Sequence, residues 1–144
     1  MSGDVTIRAA TADDIAAVLA LWREADAEES VTDDEAGLAG LIDRDHEALL
    51  LAEDGDGRVI GSLVAGWDGW RGHLHRLAVV PDHRRLGVGT ALVREGERRL
   101  VALGARRIAA IVVEGHDDAR GFWEAAGYER ADHHRFARSL QPRR

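Results

Sequence analysis

The stretch Leu77-Ala78-Val79-Val80-Pro81-Asp82-His83-Arg84-Arg85-Leu86-Gly87-Val88-Gly89-Thr90-Ala91-Leu92 decides the architecture of this chain. It opens on apolar residues suited to a buried strand and meets Pro81, which cannot continue a central ladder. A basic loop follows, then an amphipathic run that begins with two glycines. The pattern predicts a strand, a loop and the start of a long helix. Arg84-x-x-Gly87-x-Gly89 falls at the helix opening. There the first backbone N–H groups have no internal partner and point outward. The helix dipole adds positive potential, so a pyrophosphate fits the position. Glycine at 87 and 89 removes Cβ atoms that would bar close approach, and Arg84 and Arg85 bring charge to the phosphates. A short glycine pattern alone fits a tight turn with solvated arginines equally well. The weight comes from strand, proline, basic loop, glycines and helix in one order.

Outward from that stretch, toward the N-terminus, Val5 to Arg8 alternates and predicts a first strand. Thr11-Ala12-Asp13-Asp14 resembles a capping box, and Ile15, Val18, Leu19 and Trp22 follow at helical spacing. A second helix is predicted from Asp33 to Asp43, with Leu38, Leu41 and Ile42 on one face. Ala48 to Glu53 reads as a short strand, Asp54-Gly55-Asp56-Gly57 as a hairpin turn, and Val59 to Trp67 as the returning strand. Asp68-Gly69 turns again, and His73 to Val80 runs into the loop. Toward the C-terminus, a helix from Gly87 to Leu103 stops at Gly104, a C-cap residue. Arg107 to Val113 is a strand, and Asp117 to Ala126 is a helix ended by Gly127. Tyr128 to Leu140 is expected to form a last hairpin turning near Ala131-Asp132. The order β-α-α-β-β-β-α-β-α-β-β implies an α/β (α+β) chain with a mixed sheet and helices on both faces. One domain over residues 1–144 is expected.

Composition narrows the function. With 45% hydrophobic and 31% charged residues the chain reads as an ordinary globular protein. It has no cysteine, which excludes disulfides, thiolate nucleophiles and cysteine metal sites. No apolar run approaches a membrane span, and the start Met1-Ser2-Gly3-Asp4 lacks the pattern of a signal peptide. A cytoplasmic location without a membrane partner is the expectation. The net charge of -7 argues against a nucleic-acid partner and suits a cationic acceptor. A homodimer is left open.

On these residues the sequence resembles a known family. Leu77 to Leu92 looks like the acetyl-CoA-binding motif of the GNAT acetyltransferase superfamily. Phe122-Trp123-Glu124-Ala125-Ala126-Gly127-Tyr128 looks like its second motif. The element order is similar over nearly the whole chain, and the sequence likeness is specific from His73 to Tyr128. The resemblance implies a GNAT-like, mostly antiparallel sheet of about seven strands flanked by about four helices. It implies acetyl-CoA as co-substrate with no metal. Leu77, Ala78 and Val79 would present backbone groups to the pantetheine arm, and Arg84, Arg85, Leu86, Gly87, Val88, Gly89 and Thr90 would wrap the pyrophosphate. The thioester would enter a splayed gap between the strands at 73–80 and 107–113. His116 stands where many relatives have a cofactor-contacting asparagine. Trp123 stands where the superfamily commonly has a tyrosine that protonates the leaving thiolate, and an indole N–H is no practical proton donor. That step falls to water, to Tyr128 or to no acid at all. A Rossmann dinucleotide site is the rival for a glycine loop. It requires the loop after the first strand with an acidic residue about 20 positions on, whereas this loop follows the fourth strand.

An acceptor amine with a pKa of about 10.4 must lose a proton before attack, and histidine is suited to take it. His73-Leu74-His75 lies on the strand entering the loop, and alternation puts both histidines on one face. Histone-type members of the superfamily carry a glutamate where His75 falls. Serotonin N-acetyltransferase is similar through a His-x-His pair immediately before its Leu-Ala-Val. His75 and His73 are therefore the expected catalytic relay, with Glu114 and Asp117 as nearby acidic alternatives. Ordinary strand histidines with satisfied hydrogen bonds are the competing reading. In the superfamily the first two helices, their loop and the middle hairpin bound the acceptor. Here they offer Trp22, Glu24, Asp26, Glu28, Glu29, Trp67 and Trp70. Acidic and aromatic groups suit a cationic amine with an apolar body, although Trp22 at helical spacing with Val18 also suits the core. The expected function is transfer of acetyl from acetyl-CoA to a primary amine of a small molecule. Protein N-terminal or lysine acetylation, and a non-catalytic acyl-CoA-binding regulatory domain, are the alternatives.

Overall fold

The computed structural model describes residues 4–25, 30–84, 86–112, 117–131 and 133–140, and only the backbone of 117 and 118. Strand β1 (Thr6–Ala9) leads through a 3-10 turn at Ala12–Asp14 into α1 (Ile15–Glu24). Helix α2 (Glu35–Arg44) follows, then β2 (Leu49–Glu53), β3 (Val59–Trp67) and β4 (Gly72–Val79). Helix α3 (Val88–Leu103), β5 (Ile108–Ala110) and α4 (Asp117–Ala125) complete the order. The sheet runs β1-β2-β3-β4-β5. Its first four strands are antiparallel neighbours, and β5 lies parallel to β4.

The mixed α+β class and the four helices agree with expectation, but the strand number needs correction. Five strands, rather than about seven, form among the described residues, because the expected hairpin from Tyr128 to Leu140 is absent there. The reason is visible in its side chains. Phe136 and Leu140 are 93% and 89% exposed, so the apolar side chains of the segment are not buried, and a two-stranded ribbon without that burial gains too little to offset its ordering.

Each helix forms where its apolar stripe can be buried. Ile15, Val18, Leu21 and Trp22 of α1 are buried, as are Val88, Leu92, Val93 and Leu100 of α3. Asp34 caps α2 by accepting the Gly37 N–H at 2.8 Å, and Gly104 ends α3 in the left-handed region at φ 108°. Helix α3 lies close on the sheet. A Cβ at Gly96 would stand 3.0 Å from Leu63, and one at Gly72 only 2.7 Å from Leu100. Within the core on the two faces of the sheet, Leu49, Leu51, Ile60, Leu63, Leu74, Leu92 and Leu100 are fully buried, each contributing about 1.5–3 kcal/mol. Two features position the site. Pairing of β4 with β5 covers only Gly72 to Leu74, so β5 leaves the rest of that edge uncovered. On its other edge β4 carries a bulge, where Ser62 pairs with Ala78 but Val64 pairs with His75.

Candidate active site

The loop after β4 forms a 3-10 turn at Pro81–His83 and reaches Gly87, the N-cap of α3. Gly87 sits at φ 83°, in the left-handed region that a Cβ disfavours, while the space around its Cβ direction is empty within 4 Å. The N–H groups of Val88, Gly89 and Thr90 precede the first i to i-4 bond of the helix, from Ala91 to the Gly87 carbonyl at 3.0 Å. They form the outward-facing donor set of a helix start. The two glycines differ in their reasons. A Cβ at Gly89 would stand 3.3 Å from the Phe122 ring, so the missing atom at 89 first makes room for Phe122. The Arg84 side chain donates to the Val79 carbonyl at 3.1 Å and the Ala25 carbonyl at 3.4 Å, tying the loop to the end of α1. Leu86 is exposed. Arg85 lies outside the described residues.

One residue of β3, Leu63, faces two of β4, Arg76 and Leu77, at the bulge. Arg76 has φ 54° and is the one non-glycine residue with positive φ among those described. The extra residue changes which faces the flanking side chains take. His73 and His75 pair with Gly66 and Val64, on the face where Ser62 meets Trp22 of α1. Leu77 instead approaches Gly89 of α3. His75 is half-buried, and its pKa is lowered from 6.5, first by burial and then by the nearby charges of Arg135, His73 and Arg76. It is therefore neutral at neutral pH and able to accept a proton. Its ring centroid lies 6.1 Å from that of His73, a gap that one water would bridge.

Sequence reasoning missed Asp68. Its carboxylate accepts the Trp70 and Arg71 N–H groups at 2.8 and 2.6 Å, and lies 3.1 Å from His73 Nε2. Those N–H groups, Arg71 first, and His73 bring its carboxyl pKa to about 2. The signal was present in Asp68-Gly69. An aspartate opening a tight turn commonly accepts N–H groups two and three residues on, and the return strand then carries His73 past it.

The aromatic motif packs inward. Trp123 is buried, with its ring edge-to-face with Phe122 at 5.3 Å and with Tyr128 at 5.1 Å. The Tyr128 hydroxyl donates to Glu97 at 2.6 Å. Burial and that carboxylate push the phenol pKa well above its usual value, which makes Tyr128 a poor proton donor. Trp123→Phe should keep turnover within about tenfold, since no proton transfer is lost. Tyr128→Phe should leave turnover unchanged while costing about 1 kcal/mol of stability. Thiol-release rates and thermal melts check both, and a loss of several orders of magnitude in a folded Trp123→Phe protein would give the indole a direct role.

The acceptor-side expectations divide. Trp22 is a core residue whose indole N–H donates to Ser62 Oγ at 2.9 Å. Trp67 is to be withdrawn from the acceptor side. It pairs with Gly72, which faces Leu100 of α3, so it stands on the sheet face opposite the histidines. Trp70 is 67% exposed at the hairpin tip, with the Arg71 guanidinium 4.0 Å over its ring. Glu24 pairs with Arg58 at 3.1 Å. Asp26, Glu28, Glu29, Glu114 and His116 lie outside the described residues, as does the side chain of Asp117. Two clefts, one of about 410 Å³ between Arg8, Asp14, Glu24 and Arg58 and one of about 480 Å³ between Arg106, Arg107 and Arg130, are lined by neither His75 nor the start of α3.

The edge of β4 that β5 leaves uncovered beyond Leu74 thus runs into the start of α3 at Gly87. Residues 15–128 match the model of the acetyltransferase (GNAT) family. An acetyltransferase of Pectobacterium atrosepticum is 35% identical over 126 residues, covering 88% of this chain and 89% of that protein. Among solved structures, the PaiA N-acetyltransferase from Thermoplasma acidophilum in complex with coenzyme A superposes with a TM-score of 0.78 at 17% identity, over 91% of this chain and 93% of that one. The aminoglycoside N-acetyltransferase AAC(6')-Iy in complex with CoA superposes with a TM-score of 0.74 at 18% identity, over 98% and 97%. The chain belongs to the GNAT acetyltransferase family. It is accordingly an acetyl-CoA-dependent N-acetyltransferase. No helix among the described residues is long and apolar enough to cross a membrane.

Proposed function

We propose that this enzyme acetylates a primary amine of a small molecule by direct attack of the amine on the thioester of acetyl-CoA. The observation that carries the reading is the edge of β4 that β5 leaves uncovered beyond Leu74, beside the N–H groups of Val88, Gly89 and Thr90 that precede the helical ladder of α3. A pantetheine arm carries two amides, and the backbone groups of a strand edge are matching donors and acceptors. The backbone of Leu77, Ala78 and Val79 would hold that arm. Leu86 to Thr90, with Arg84, would hold the pyrophosphate, for which the empty space at Gly87 leaves room. The aminoglycoside enzyme named above supports an amine of a small molecule as acceptor.

His75, neutral and half-buried, takes the proton of the acceptor ammonium through water, and His73 passes it toward solvent beside Asp68. The freed amine nitrogen attacks the acetyl carbonyl carbon. The C–N bond forms and the C–S bond breaks, and the second proton lost by the nitrogen passes through water to the departing thiolate of CoA. The test is thiol release with aromatic amines, polyamines, amino acids and peptides side by side. Turnover with a non-peptide amine is expected. Turnover with peptides alone would move the acceptor to a protein, and CoA binding without thiol release from any amine would make the chain a sensor.

A further inference from the structure

We propose that Trp22, Ser62 and Asp33 form a clamp on Arg76 that holds the β4 bulge, and that these four residues position His75 and the acyl strand for transfer. The inference rests on the reading of β4 as the strand that meets the thioester. It begins from Arg76, an L-residue with a long side chain held at φ 54°. That region is disfavoured once a Cβ is present, so the surroundings must impose it.

They do so at both ends of the residue. Ser62 is fully buried. Its Oγ accepts the Trp22 indole N–H at 2.9 Å and donates to the Arg76 carbonyl at 2.9 Å. In the interior neither the indole N–H nor the hydroxyl has water to turn to, so the chain of bonds is kept. The guanidinium lies 4.9 Å over the Trp22 ring and is paired with Asp33, just ahead of α2. Trp22 thus serves the backbone through Ser62 and the side chain through its ring. Trp22 belongs to α1 and Asp33 precedes α2, so the clamp also ties both helices to the strand.

The consequence is a matter of register. In a regular strand residues 75 and 77 share a face. Here His75 is on the α1 side while Leu77 approaches Gly89 on the α3 side. Without the extra residue at the bulge, one of the two would point the wrong way. The clamp therefore lets a single strand offer a base to the acceptor face and still pack its next residues against the start of α3.

Two replacements of Arg76 separate backbone from side chain, because both remove the guanidinium and only one tolerates positive φ. Arg76→Gly should keep kcat within about tenfold of the wild type, whereas Arg76→Val should lose about a hundredfold, with the KM for acetyl-CoA within about threefold in both. Ser62→Ala should lower kcat about tenfold in the wild-type background but by no more than about threefold in the Arg76→Gly background, where the backbone needs no holding. Equal kcat for the glycine and valine variants, or an undiminished Ser62→Ala effect in the Arg76→Gly background, overturns the clamp. If the wild type turns over no amine at all, the proposed activity fails on its own. The clamp is then decided by amide exchange across residues 75–79. That exchange should be about tenfold faster in Ser62→Ala, with β2 unchanged, and unchanged exchange at 75–79 overturns it.

Discussion

Gly89→Glu is expected to weaken acetyl-CoA binding by about a hundredfold or more while the fold is kept. Gly89 is the second residue of α3, and its N–H is one of the three that precede the helical ladder. A carboxylate in the first turn favours a helix by about 0.3–1 kcal/mol, so the helix itself is not at risk. The side chain cannot settle inward, because its Cβ already stands 3.3 Å from Phe122. It must lie across the helix opening, where the pyrophosphate would bind. Two like charges about 5 Å apart at an effective dielectric constant of about 20 repel by about 3 kcal/mol, which is a little over two decades in affinity. Gly89→Ala is the control, with an expected loss under about tenfold, since the ring need move by only a few tenths of an ångström. Added salt should narrow the gap between the two variants. Calorimetry decides, and equal affinity for the glutamate and alanine variants would put the phosphates elsewhere.

His75→Gln is expected to reduce turnover by about 10²-fold and to flatten its dependence on pH. Glutamine keeps size and hydrogen bonding but takes no proton. In the wild type the sign of the pKa shift sets the profile. Burial disfavours the imidazolium, and Arg135, His73 and Arg76 disfavour it further, so protonation is delayed to lower pH than for an ordinary histidine at 6.5. Turnover of the bound complex should thus hold through neutrality and fall only as pH drops below that value. The apparent pKa belongs to the relay rather than to one ring. Acetyl-CoA affinity should stay within about threefold, because His75 is on the face away from the start of α3. His73→Gln should act more weakly, as the outer member beside Asp68. A double variant with full turnover and the original profile, on a verified amine, would rule out the relay.

The linear order of elements in this protein is legible in its amino-acid sequence alone. Val59 to Trp67 is β3 to the residue, Pro81 ends β4 within two residues of its last pairing, and Gly104 closes α3. These features depend on near neighbours: strand alternation, a missing proline N–H, a glycine free to take positive φ. The helix start at Gly87 and the placement of His73 and His75 on one face belong with them. The finer character of the site comes from contacts far apart in the chain. Trp67 looks like its acceptor-side neighbours, yet the pairing with Gly72 turns it to the other face. Trp22 and Ser62 are 40 residues apart, and nothing local announces their bond. The hairpin expected from Tyr128 to Leu140 is absent among the described residues, where Phe136 and Leu140 stay exposed. Above all, an arginine at 76 gives no hint of positive φ, because its own preference opposes it. Residue types and their spacing determined the elements and the chemistry on offer. Cross-strand register and burial determined which faces that chemistry occupies, because a bulge of one residue reverses every side chain after it and only the packing around the strand can hold it there.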